Sequence, residues 1–281
     1  MPADADRIRR FSSSTAPVAL VTGASSGLGA EFARLAAAEG FRVILTARRR
    51  ERLEALAQEL EAKAARPMLT LPLDLSEPGA PEEILALLGE LNCVPEVLVN
   101  NAGFGAFGPA VDMDPERIGR MIDLNVRALT ALSIRVGREM RDCGRGRILN
   151  VASTAAFQPC PFMGVYGATK AYVRSFTEAL AEELRGTPVT ATAFCPGPTA
   201  TEFGAAAGLA AEGALDLFDL EKAERPAADA ALTGWRAMKA GRVVVIDGWA
   251  NRLLARVVWA TPEPLVRLLA GRLLGRLRTE L

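Results

Sequence analysis

Tyr166 and Lys170 stand four positions apart in Tyr166-Gly167-Ala168-Thr169-Lys170, a spacing that sets both side chains on one face of a helix. An ammonium one turn from a phenol favours the phenolate, so the pair predicts an acidified tyrosine able to give and take a proton near neutral pH. Such pairs are commonplace on helices, and context must decide whether this one acts. Ser153 supplies part of that context: it follows the apolar run Arg147 to Val151, where its hydroxyl can donate to an oxygen gaining negative charge. Asn125 lies among Met121, Ile122, Leu124 and Val126; a buried amide there needs partners, and a water relay to Lys170 would supply one. Histidine is absent from all 281 residues, which excludes Ser-His-Asp and Cys-His triads, histidine general bases and His-ligated metal sites. No metal site is expected.

A second set of residues suits a phosphate. The first apolar run enters Thr22-Gly23-Ala24-Ser25-Ser26-Gly27-Leu28-Gly29 and then a helical stretch, so Gly23, Ser25, Ser26, Gly27, Leu28 and Gly29 can bring backbone amides to a pyrophosphate at a helix start. An ordinary glycine-rich turn has the same composition. The spacing is not GxGxxG and no phosphate-loop lysine is present, which disfavours a nucleoside triphosphate. The second run ends in Ala47 followed by Arg48, Arg49 and Arg50, where a carboxylate would grip the ribose hydroxyls of NAD. Guanidinium groups there suit the 2′-phosphate of NADP(H) instead. Arg48 is the expected ligand, with Ser25 as a helper, while Arg50 and Arg52 are assigned to the solvated face of a helix. Asp74 and Leu75 follow the third run, placed for an adenine amino group or as a helix cap. Asn101, Ala102 and Gly103 follow the fourth, at an edge where ligands bind or where a turn needs such residues.

Seven apolar runs position these residues: Val18 to Thr22, Arg42 to Thr46, Met68 to Pro72, Val97 to Asn100, Arg147 to Val151, Val189 to Phe194 and Arg242 to Ile246. Between them lie stretches with helical spacing, among them Leu28 to Glu39, Arg50 to Ala64, Pro115 to Cys143, Tyr166 to Arg185 and Ala227 to Lys239. Continuous apolar strands alternating with helices predict an α/β fold, a doubly wound parallel sheet of about seven strands covered on both faces. Residues 1–16 read as a flexible leader, 17–247 as the catalytic unit and 248–281 as an amphipathic helical extension.

The 33 basic and 33 acidic residues cancel, removing the bulk argument for nucleic acid as a partner. Cys93, Cys143, Cys160 and Cys195 form no CxxC pair and read as reduced thiols in a cytoplasmic protein. After Ile246 come Leu253, Leu254, Val257, Val258 and Trp259, then Leu265 to Leu277, interleaved with Arg252, Arg256, Arg267, Arg272, Arg276 and Arg278. This pair of helices is expected to pack on a partner subunit first, with pocket covering or an anionic membrane surface as alternatives.

Together TGASSGLG, Asp74, NNAG, Asn125, Ser153, YGATK and Pro196-Gly197-Pro198-Thr199-Ala200-Thr201 resemble the short-chain dehydrogenase/reductase family from Val18 to Ile246. The tail is similar to that of its DltE-like and ketoacyl-reductase-like members. The resemblance implies Tyr166 as acid/base, Lys170 as its activator and ribose ligand, Ser153 as substrate polariser and Asn125 as relay support. It also implies that Pro196, Gly197, Thr199 and Thr201 embrace the nicotinamide end, and that the chain forms a homodimer or homotetramer. Phe104, Thr154, Phe157, Cys160, Phe162, Met163 and Phe203 are then expected to line a pocket for a small hydrophobic carbonyl or alcohol, with a lid over Thr201 to Glu224. A non-catalytic NADP(H) sensor is the rival reading, although a sensor needs no acid/base set.

Overall fold

A computed structural model describes residues 5–208 and 225–275. Strands β1 (Val18–Thr22), β2 (Arg42–Ala47), β3 (Leu69–Pro72), β4 (Val97–Asn100), β5 (Gly146–Val151), β6 (Val189–Cys195) and β9 (Val244–Ile246) form one sheet in the order β3-β2-β1-β4-β5-β6-β9. Every neighbouring pair is parallel, with Ala19 registered against both Val43 and Val97. Both faces are covered, which is why β1 is buried along its whole length. Val21, Val43 and Leu149 pack with Phe32, Leu53 and Trp235 from helices α2 (Gly27–Ala38), α3 (Arg50–Ala64) and α9 (Ala227–Lys239). On the other face Leu20, Ile44 and Leu98 meet Ile84, Leu132 and Leu180 from α4 (Ala80–Glu90), α6 (Leu129–Asp142) and α7 (Gly164–Glu183).

Strand order reverses direction between β1 and β4. A doubly wound sheet opens a crevice beyond its carboxyl edge at that point, and Gly23, Asn101 and Ser153 all follow strand ends there. A cavity of about 550 Å3 lined by Val18, Arg42, Glu96 and Arg145 opens at the opposite, amino-terminal strand edge and takes no part in this crevice.

The leader differs from expectation. Helix α1 (Ala5–Ser13) docks on the sheet because Phe11 is fully buried in the second core. The Arg42 guanidinium stacks 4.8 Å from its ring centroid and donates to the carbonyls of Ala16, at 2.8 Å, and of Phe11. A Phe11→Ala substitution removes a buried aromatic and leaves Arg42 facing a void, an expected loss of about 3–5 kcal/mol. Urea unfolding measures it, and a loss under about 1 kcal/mol would mean that α1 contributes little to the core.

Of the lid, only its first part is described, α8 (Phe203–Ala207); residues 209–224 lie outside the described residues. The excursion is bracketed by β7 (Thr199–Ala200) and β8 (Arg225–Pro226), a short parallel pair absent from the sequence reading. The extension forms α10 (Trp249–Ala260) and α11 (Glu263–Gly275). No described helix is long and apolar enough to cross a membrane.

Candidate active site

Helix α7 carries Tyr166 and Lys170 in its first turns, and both side chains are buried. Lys170 Nζ lies 5.8 Å from the centre of the Tyr166 ring and donates to the Val151 carbonyl at 2.8 Å. The phenol is not acidified as expected. Burial raises its pKa to about 12, only partly opposed by the hydrogen bond with Ser153, because a phenolate is poorly solvated away from water. The same desolvation pushes Lys170 down to about 8. Ser153 starts the 3-10 turn Thr154–Phe157, its hydroxyl accepting from the Ala155 amide at 3.1 Å.

Asn125 sits in a π-helical segment, Asp123–Ala128, between α5 (Pro115–Ile122) and α6. Its side chain is fully buried, and its direct hydrogen bonds run to protein partners. The amide nitrogen donates to the Phe104 carbonyl at 3.0 Å and to Thr169 at 3.1 Å, and the oxygen accepts from the Phe104 amide at 3.2 Å. Asn125 therefore ties the segment after β4 to α7. A π-bulge turns a side chain out of helical phase, a frequent device at functional sites. A Cβ at Gly103 would come within 2.9 Å of Asn125 Oδ1 and 3.4 Å of Lys170 Nζ, so glycine is needed where these elements converge. Sequence reading passed over a second buried ladder: Asn100 donates to Ser133 and Asn150, and Asn150 to Thr177. It ties β4 and β5 to α6 and α7 beneath the crevice.

At the glycine-rich turn, Ser26 precedes α2 without a side-chain cap, which leaves the first-turn amides without a side-chain acceptor there. Gly23 and Gly29 pack so tightly that an added Cβ at either would collide with Asn101 or with the Gly23 backbone. Asn101 is spent on this brace, donating from its side chain to the Thr22 carbonyl at 3.0 Å, while the Asn101 and Ala102 amides donate to the Thr22 hydroxyl. Thr201 leans on Gly27, whose Cβ would lie 2.9 Å from the threonine methyl. Leu28 packs on the first core and Leu75 is buried in the second, so neither side chain faces the crevice as a polar ligand.

Arg49, rather than the expected Arg48, reaches the turn. Its guanidinium donates to Ser25 at 3.1 Å, to Ser26 at 2.7 Å and to the Glu202 carboxylate at 2.6 Å. Arg48 is 68% exposed with Asp74 4.0 Å away. The backbone explains the exchange: Arg49 is the extended residue preceding α3, and it folds back over the turn. Arg50 pairs with Glu54 within α3, but Arg52 also holds Glu202 and so is more than a solvated helix residue. Asp74 caps no helix, since α4 begins at Ala80 with Gly79 before it; its carboxylate closes a local turn, accepting from the Ser76 amide and hydroxyl, and pairs with Arg120 at 2.8 Å. Burial works to raise its pKa, but Ser76, Arg48 and Arg120 together hold it below the usual value.

The apolar candidates separate into groups. Phe104, Met163 and Phe203 join Ala106 and Met121 around Tyr166, with the Phe203 ring 5.2 Å from the phenol ring. Gly105 leaves them room, since a Cβ there would approach Phe203, Met163 and Tyr166 to 2.9, 3.4 and 3.4 Å. Phe157 does not join them. It packs with Leu129, Val173 and Cys195, with Arg174 stacked 4.2 Å over its ring. Phe162 adopts a left-handed backbone at φ 64° and faces Phe107, a neighbour that sequence reading missed. Cys160 lies against Gly167, and the Thr154 amide joins the Pro196 carbonyl across the crevice mouth.

The family model of short chain dehydrogenases matches residues 17–211, most of this crevice and its sheet. The chain belongs to the short-chain dehydrogenase family. This dehydrogenase is 41% identical over 181 residues to the NADP-dependent 3-hydroxy acid dehydrogenase of Salmonella typhi, covering 64% of this chain and 71% of that protein. Among solved structures it is similar to a short-chain dehydrogenase from Sphingobium yanoikuyae in complex with NADPH, at TM-score 0.75 and 31% identity, covering 86% and 92% of the two chains. A 7beta-hydroxysteroid dehydrogenase superposes at TM-score 0.82 and 26% identity over 91% and 96%.

The crevice of this dehydrogenase fits a nicotinamide dinucleotide. The uncapped start of α2 suits its pyrophosphate, and Ser25, Ser26 and Arg49 offer donors for a phosphate beside it. Lys170 Nζ lies at the other end, beside Tyr166, while Thr201 reaches back to Gly27 at the glycine-rich turn.

Proposed function

We propose that this dehydrogenase is an NADP(H)-dependent reductase of hydrophobic ketones or aldehydes, with Tyr166 as acid/base. NADP(H) supplies or accepts the hydride when bound. The observation that carries the reading is a buried, protonated phenol with an ammonium beside its ring and an apolar wall on its open side. Tyr166 Oη donates its proton to the substrate oxygen as charge develops there, and Ser153 holds that oxygen in line. Lys170 keeps the resulting phenolate tolerable in a buried setting. A neutral phenol is the competent form for reduction, so its high pKa suits the reductive direction.

Phe104, Met163 and Phe203 present carbon to the substrate, which favours an apolar group flanking the carbonyl. The superposable 7beta-hydroxysteroid dehydrogenase supports this choice, whereas the 3-hydroxy acid dehydrogenase points to an anionic substrate. A panel separates them: NADPH oxidation followed with aryl and steroid ketones, with short carboxylated or sulfonated aldehydes, and with NADH in place of NADPH. Faster turnover of the hydrophobic ketones with NADPH is expected. Preference for the anionic aldehydes, or for NADH, would overturn the substrate or the cofactor half of the proposal. The homo-oligomer belongs to the proposal too, supported by Ile122, Ile134 and Tyr172 standing exposed on α5, α6 and α7. A cytoplasmic setting suits four free cysteines.

A further inference from the structure

Exposed large apolar side chains concentrate on the extension. Trp249, Leu253, Leu254, Val257 and Trp259 on α10 and Leu265, Leu268 and Leu269 on α11 are all exposed. The four-residue step puts Trp249, Leu253 and Val257 in one outward row, while Asn251, Ala255 and Val258 face the body and are half-buried. Arg252 and Arg256 form the adjoining row. Over both helices four arginines stand against the single carboxylate of Glu263, in a chain whose 33 basic and 33 acidic residues cancel as a whole. Arg256, Arg267 and Arg272 meet no carboxylate among the described residues, and all three stand on exposed positions.

We propose that α10 and α11 dock this dehydrogenase on an anionic membrane surface, lying in its plane with Trp249, Leu253 and Val257 inserted and the arginines at the phosphate level. Tryptophan, leucine and arginine on short helices are the composition that partitions to the headgroup boundary, where apolar burial and charge attraction add. The charge pattern argues against a second copy on this face. A twofold contact sets the same patch against itself, and here it would bring arginines together with one glutamate per chain to offset them. Over its described residues neither helix is long and apolar enough to span. The opposite, body-facing side of α10 adjoins the active site: a Cβ at Gly197 would lie 2.2 Å from the Asn251 side chain, so the first turn of α10 rests on the segment that follows β6.

The test is co-sedimentation of the full chain with vesicles of phosphatidylcholine alone and of phosphatidylcholine mixed equally with phosphatidylglycerol, at low and high salt. Binding to the mixed vesicles, weakened by salt, is expected. An Arg256→Gln/Arg267→Gln/Arg272→Gln variant should bind the mixed vesicles on the order of a hundredfold more weakly, and Trp249→Ser/Trp259→Ser should release protein from them. Circular dichroism of the variants checks that they fold, and light scattering reads their oligomeric state. Absence of binding to either vesicle overturns the proposal. So does an oligomer that dissociates in the tryptophan variant, which would assign the face to a second copy.

Discussion

A Tyr166→Phe enzyme is expected to bind NADPH as the parent does and to lose about a hundred- to ten-thousandfold in kcat. The phenyl ring keeps the buried contact with Phe203, so the fold and the pocket wall persist. Only the proton is removed. Burial holds that proton until about pH 12, so across the ordinary range Tyr166 is an acid, ready to protonate an alkoxide as it forms. The pH dependence should then come from Lys170. Desolvation disfavours its charged form, so its proton leaves near pH 8 rather than at the usual lysine value. Below that point the ammonium is present to steady the phenolate; above it the support is lost. Reduction measured as kcat/KM should be level to about neutral pH and fall as pH rises through about 8. Lys170→Met should lower the plateau and erase that fall. A Tyr166→Phe enzyme with unchanged kcat would remove the acid/base assignment, and a rate that climbs through the same range would assign the limiting proton to another group.

The sheet was legible because its strands are buried on both faces. Val18–Val21 and Val97–Val99 are continuous apolar runs, each ended by a single polar residue, Thr22 and Asn100. Helix α1 was not legible, since Asp6, Arg7, Arg9 and Arg10 dominate its composition, and it is anchored chiefly through Phe11. One aromatic in a polar segment carries no periodicity. Tyr166, Lys170 and Ser153 were legible as types on expected elements. Their titration was not, because desolvation depends on what surrounds a residue and not on its helix neighbour four positions away. Asn125 illustrates the same limit: the sequence marks a buried amide, but the π-bulge that aims it at Phe104 and Thr169 arises from packing. Phe157 was drawn toward the pocket by proximity in sequence to Ser153, yet the 3-10 turn between them sends its ring under Arg174.

An Arg49→Ala enzyme should lose roughly ten- to a hundredfold in NADPH affinity, the cost of about 1.5–3 kcal/mol for charge-assisted hydrogen bonds to a 2′-phosphate. NADH affinity should stay as it was, because NADH presents no such group. Three arginines follow β2, and composition alone favours the first, but geometry selects the one that touches Ser25 and Ser26. Arg48→Ala, on an exposed side chain, should cost several times less. Glu202 sharpens the comparison. Hydrogen bonds from Arg52 and Arg49 hold its carboxylate at about pKa 2, so it is charged wherever the enzyme works. It therefore competes with a 2′-phosphate for the same guanidinium, and Glu202→Gln should tighten NADPH binding while leaving NADH unaffected. Glu202 is also the residue before Phe203, whose ring lies against Tyr166. A phosphate that draws Arg49 away from Glu202 would thereby loosen the start of α8 beside the acid. Calorimetric titration of the three variants with both nucleotides decides the matter. A larger loss in Arg48→Ala than in Arg49→Ala would restore the phosphate to Arg48, and equal losses for NADPH and NADH would mean that these arginines hold the turn rather than the phosphate.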